Sequence, residues 1–176
     1  MATEGAVAQG IADIREGIAG VRSKGTEFTV PTFFAWLAAL CLDGGQLEQG
    51  WTALEEGLAM SEKNADRFSL PEFHRLKGEF LLASSSRAES DAEACFQEAI
   101  EIARAQNGKM FELRATTSLA RLWAGRNRVT DARELLASIC GWFTEGLETK
   151  DVRGAKGLLE QLGCHHPIAS ASSILV

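Results

Sequence analysis

An all-α fold built from repeated helical hairpins is what this sequence predicts, on three observations. The vocabulary is helical: Ala, Leu, Glu, Arg and Gln abound, Tyr is absent, and 176 residues contain only three prolines. One phrase recurs. AQGIADIREGIAGVR (8–22) and EQGWTALEEGLAMSE (48–62) share Gln-Gly, two apolar residues three apart, Glu-Gly, an apolar residue and Ala. The beat then persists, with Gly10-Ile14-Gly17, Gly50-Leu54-Gly57, Ala92-Phe96-Ala99 and Ala132-Leu136-Ile139 starting at intervals of 40, 42 and 40.

Spacings of four and three put each trio on one helical face. A helical Gly costs about 1 kcal/mol relative to Ala, and is tolerated where a neighbouring helix must come close. Before each later beat lies a second amphipathic segment: 33–42, 73–83 and 113–124, with Phe34-Leu37-Cys41, Phe73-Leu76-Phe80 and Leu119-Ala120-Trp123 as their apolar stripes. Gly44-Gly45, the polar stretch 84–90 and GRNRVT (125–130) supply the turns. The units are therefore a half repeat at 4–24, then repeats at 31–63, 71–106 and 110–143. TKDVRGAKGLLEQLG adds a capping helix at 150–163, ending at Gly163, as a stacked array requires. One domain over 4–163 follows, with a flexible tail at 164–176.

Residues 4–24 read as the second helix of a hairpin whose first helix is missing. The chain is thus expected either to be part of a longer protein or to open a short array with a cap. On this reading Val7, Ile11, Ile14 and Ile18 form an open apolar edge, which invites self-association.

The second-helix signature, with a large-x-x-Leu-small-x-x-aromatic pattern on the first helix, resembles the tetratricopeptide repeat. TSLARLW (117–123) followed by Ala132, Leu136 and Ile139 carries the likeness best. The period of about 40 departs from that repeat's usual 34, and the excess falls in the connections 61–73 and 103–112. Over 75–162 the phrases RLKGEFLLA, AEACFQEAIEIARAQ, ELRATTSLARLW, ARELLASICGWFTEG and AKGLLEQL are similar to the C-terminal repeat region of bacterial class III adenylate/guanylate cyclase–ATPase proteins. Related tails occur on ATPase-type transcriptional activators of the maltose-regulator class. The resemblance implies a signalling module whose catalytic domains lie outside this chain, with its upstream domains among its possible partners.

The residues point away from catalysis. No phosphate-cradling Gly-rich loop, no H-E-x-x-H and no G-x-S-x-G occurs. Cys41, Cys95, Cys140 and Cys164 are far apart without a C-x-x-C pair, and read as packing residues. Cys164, His165 and His166 lack the spacing of a structural zinc site, so neither metal nor cofactor is expected. With no run of eighteen apolar residues and no basic leader, the expected location is cytoplasmic and no membrane partner is implied.

Charge is unevenly spread. Residues 104–133 carry seven cations against two acids, a local +5 on a chain of net −6 that leaves −11 elsewhere. Nucleic acid is disfavoured, because aromatics do not interleave with the cations and the overall field is acidic. A solvated face, or pairing with acids such as Glu98 and Glu101, accounts for the segment more simply.

In tetratricopeptide arrays the first helix of each unit lines the concave surface. Applied here, that register places Ala35, Ala39 and Leu42 inward in the first repeat, His74, Gly78 and Leu81 in the second, and Arg114, Thr117 and Arg121 in the third. A groove that is apolar at one end and cationic at the other suits an acidic, partly apolar protein segment. The inward Asn residues of the carboxylate clamp in chaperone co-factors are absent. Trp51, Trp123 and Trp142 fall on apolar stripes and read as core. Trp36 lies beside its stripe and is the indole assigned to a partner surface.

Overall fold

The structure, a computed structural model, describes residues 4–25 and 27–164. Eight α-helices account for most of them: α1 (Glu4–Ser23), α2 (Val30–Asp43), α3 (Leu47–Lys63), α4 (Leu70–Ser84), α5 (Glu89–Ala105), α6 (Lys109–Gly125), α7 (Val129–Cys140) and α8 (Lys150–Cys164). A single 3₁₀ turn, Ser86–Ala88, precedes α5, and no strand occurs among the described residues. None of these helices is long and apolar enough to cross a membrane.

The helix ends follow from local chemistry. Pro31 and Pro71 sit in the first turns of α2 and α4, where the N–H that proline lacks would have had no helical partner. Four helices close in the same way, by a bond from a backbone N–H to the carbonyl five residues earlier: Gln46 to Cys41, Asp66 to Ser61, Gly108 to Ala103 and Arg128 to Trp123, at 2.8–2.9 Å. That closure needs a residue in the left-handed region, supplied at φ +69° by Gly45 and at +60° by Asn127. The same turn thus serves both kinds of connection and keeps them short.

Every helix packs on its neighbours in the chain. The even-numbered helices α2, α4, α6 and α8 also pack side by side in that order, whereas no two odd-numbered helices make a comparable backbone approach. Two rows result, even inside and odd outside, and the repeated Glu-Gly phrase belongs to the outer row.

Glycines fit the rows together. A Cβ on Gly57 of α3 would lie 2.5 Å from Phe73 Cε1 and 2.9 Å from Phe34 Cβ. One on Gly50 would meet Phe80, and one on Gly78 would meet Phe96. These rings are the largest side chains withdrawn from water; Phe73, Phe80 and Phe96 are fully buried. The core forms three successive clusters, over α1–α4, over α4–α7 around Phe96, and over α6–α8.

The apolar edge expected on α1 is covered. Val7, Ile11 and Ile18 are buried and Ile14 half-buried, packed in the first cluster with residues of α2. α1 packs on α2, the inner helix that follows it, and that contact is enough to bury the stripe. What α1 turns to solvent is small or polar: Asp13, Glu16, Gly17 and Gly20. At the other end Val152, Ala155 and Leu162 bury the inner face of α8. Trp142, expected in the core, is 58% exposed, because α7 stops at Cys140 and the helical stripe stops with it. The tail from His165 onward lies outside the described residues.

Candidate functional site

The four inner helices bound a cavity of about 670 Å³. Its floor and walls come from equivalent turns of successive helices. Trp36, Arg75 and Arg114 lie at intervals of 39 residues on α2, α4 and α6, and Glu79 and Ser118 are likewise 39 apart. Lys150, Asp151 and Gly154 of α8 close the far side, while Ala39, Leu42 and Asp43 continue the α2 wall.

Ion pairs cross the floor from helix to helix. Arg75 grips Glu72 with two bonds, Nη2 to Oε1 at 2.7 Å and Nε to Oε2 at 3.1 Å, and reaches Glu79 at 3.5 Å. Ser118 Oγ donates to Glu79 Oε1 at 2.5 Å. Arg114 donates from Nε and Nη2 to Asp151 Oδ2, each at 2.7 Å, and its Nη1 stands 3.9 Å from Glu72. Burial works against the Arg75 cation, but the nearby Glu72, Glu79 and Asp151 more than offset it and raise its pKa further. Bidentate geometry makes such a pairing directional as well as strong. Each of these floor cations is therefore matched by acids of the same chain.

Three charged side chains of the cavity differ. Asp43, Arg121 and Lys150 are exposed and have no partner among the described residues. Trp36 also stands out, with 54% of its surface in solvent and its indole edge-on to Phe33 at 5.3 Å.

Of the groove residues named from sequence, Trp36, Arg114, Thr117 and Arg121 line this cavity. His74 and Leu81 do not. Leu81 packs into the Phe96 cluster, and His74 is half-buried near Glu98 of α5. Burial pulls the His74 imidazole below its ordinary pKa, a shift that Glu98 partly opposes. For His74 the cause is a step of one residue. A 40-residue spacing carried back from Arg114 lands on His74, whereas the cavity position on α4 is Arg75, 39 residues back. One residue is about 100° of helical rotation, enough to turn a side chain from the cavity into the next helix. Ala35, one residue before Trp36, is likewise buried in the core, while Gly78 keeps the 39-residue register with Ala39 and Thr117 but lies under Phe96, and Ala39 and Leu42 do line the wall.

Sequence reasoning missed Glu72, Arg75, Glu79, Ser118, Lys150 and Asp151. The 39-residue interval from Arg114 to Arg75 was the signal that could have found the second of them. The basic segment at 104–133 is largely neutralised, though not by Glu98 or Glu101. Arg104 and Lys109 share Glu112, each at 2.7 Å. Arg126 holds Glu89 at 2.7 Å and Glu93 at 2.5 Å. Arg128 pairs with Glu93 and Asp131 and lies 4.1 Å above the Trp123 ring, whose N–H also donates to Glu93.

No cluster of three or more His, Cys, Asp or Glu side chains among the described residues is placed to hold a metal ion. Burial pushes the Cys41, Cys95 and Cys140 thiols up, away from nucleophilic character. Compared with known proteins, the chain matches no family model and no curated protein.

Proposed function

We propose that this chain is a non-catalytic interaction module, a tetratricopeptide-like solenoid of about three hairpins between a half-repeat helix and a capping helix. On this reading it is the C-terminal arm of a cytoplasmic bacterial signalling protein of the cyclase–ATPase type, and it biases the upstream domains by holding a partner along its inner helix row. The partner is a separate protein or a neighbouring domain of the same polypeptide. One observation carries the reading: an indole more than half exposed stands in a cavity whose floor is internally ion-paired. A large aromatic open to water beside satisfied polar groups is what a contact surface provides before its partner arrives.

The test is site-specific photocrosslinking in the full polypeptide. Benzoylphenylalanine at Ala39, on the cavity wall, is compared with the same group at Glu101, exposed on the outer row. A discrete adduct from position 39 and none from 101 supports the reading. Equal adducts from both positions, or none from 39, overturn it.

A further inference from the structure

The cavity's charges fall into two groups with different consequences. Arg75 and Arg114 are held by Glu72, Glu79 and Asp151, three acids against two cations, so the floor offers an approaching anion no net attraction. Arg121 and Lys150, without partners among the described residues, both lie on the α6–α8 side. Trp36, Ala39 and Leu42 make the α2 side largely apolar, with Asp43 at its end. The inner helices run in the same direction, since Ser118 and Glu79, which bond to each other, are each the tenth residue of their helix. Arg121 then lies near the C-terminal end of α6 while Lys150 opens α8. At 1.5 Å per residue, their levels along the cavity differ by about 10–15 Å. One small anion cannot answer both cations; a chain segment can.

We infer that the occupant of the cavity is an acidic peptide segment with an apolar anchor, its carboxylates facing Arg121 and Lys150 and its anchor resting on the Trp36 indole. This rests on the proposed role of the cavity as a docking surface. The floor then supplies shape and hydrogen-bonding edges, and selection by charge falls to the two free cations. An exposed ion pair is worth little singly, about 0.2–1 kcal/mol, so each cation alters affinity severalfold rather than switching it. Attraction of this kind weakens with salt, because the Debye length shrinks to about 8 Å at physiological ionic strength.

Fluorescence anisotropy on the full chain tests this with two labelled 14-residue peptides. One carries a leucine cluster followed by four glutamates, and the other has lysines in place of the glutamates. The expected result is binding of the acidic peptide at least tenfold tighter than the basic one, weakening as salt is raised. Arg121→Gln with Lys150→Gln is expected to abolish both the preference and the salt dependence. Both residues are exposed and unpartnered, so the double variant keeps its helical circular dichroism. Trp36→Ala is expected to weaken binding at every salt concentration alike. Equal binding of the two peptides, reduced by Trp36→Ala, overturns the acidic assignment and leaves the cavity as the docking surface. Acidic-peptide binding untouched by all three substitutions overturns the docking surface itself. Failure of the acidic peptide to bind at millimolar concentration also overturns the acidic assignment.

Discussion

Gly17 and Gly57 occupy the same place in the same phrase, yet adding a methyl group to each is expected to change stability in opposite directions. Both sit inside helices, where replacing Gly by Ala gains about 1 kcal/mol of backbone propensity. A Cβ on Gly17 meets nothing within 4 Å, so Gly17→Ala keeps most of that gain. At Gly57 the new methyl would lie 2.5 Å from Phe73 Cε1 and 2.9 Å from Phe34 Cβ. Phe73 is 0% and Phe34 4% exposed, so neither ring has free space to enter. Overpacking of a tight core costs about 1–3 kcal/mol, which outweighs the propensity gain. Net destabilisation of up to about 2 kcal/mol follows for Gly57→Ala, against stabilisation of about 0.5–1 kcal/mol for Gly17→Ala. For a domain of this length each kcal/mol moves Tm by about 2–4 °C. Thermal and urea unfolding followed by circular dichroism measure both. Shifts of the same sign would refute the reasoning, because they would mean that the inner helices do not determine what these glycines are for.

Acid is expected to loosen the α5–α6 hairpin. Burial pushes the Glu93 and Glu112 carboxyls up, but the Trp123 indole with Arg126 at Glu93, and Arg104 with Lys109 at Glu112, outweigh it and hold both below the ordinary carboxylate range. Groups lowered on folding stabilise above their unfolded pKa, about 4.3 for Glu, and that stability is lost as pH falls through the lower folded values. Urea midpoints measured between pH 7 and 3 should decline, and Glu93→Gln should flatten the decline. Phe96→Ala, which empties the centre of the middle cluster, should cost about 3–5 kcal/mol in equilibrium unfolding. Arg114→Ala removes the link to Asp151 and should cost about 1 kcal/mol, seen as faster amide exchange in α8 with α2 and α3 unchanged. Native-state alkylation followed by mass spectrometry should label exposed Cys164 first and leave buried Cys41 and Cys140 to the unfolded chain.

The helices were legible because their signals are local. The 40-residue beat located the outer helices, and the stripes Phe34-Leu37-Cys41 and Phe73-Leu76-Phe80 located the inner ones. The inner face was less legible because rotation, not position, decides it. His74 missed the cavity by one residue, although α4 itself was placed correctly, and Leu81 turns into the Phe96 cluster. Charge partners were least legible. Glu89, 37 residues from Arg126, and Asp151, 37 from Arg114, meet those arginines only after two helices intervene. The coverage of α1 was misread for a different reason. The hairpin pattern pairs each outer helix with the inner helix before it and does not count the contact with the one after, where Val7, Ile11 and Ile18 are in fact buried against α2.

Among the described residues α2 touches α8 nowhere along the backbone; the two are joined through α4 and α6. Three helix–helix joints in series add their compliances, so a small rotation at each sums into a larger opening between the outermost walls. The distance from Trp36 to Lys150 is thereby the one over which all three rotations add. The chain of pairs from Glu79 through Arg75 and Glu72 to Arg114 and Asp151 spans two of those joints and acts as a tie bar. The joint between α2 and α4 has no such ionic tie, only the Thr32–Ser69 hydroxyl contact at 3.0 Å, so flexing is concentrated at the wall that carries the indole.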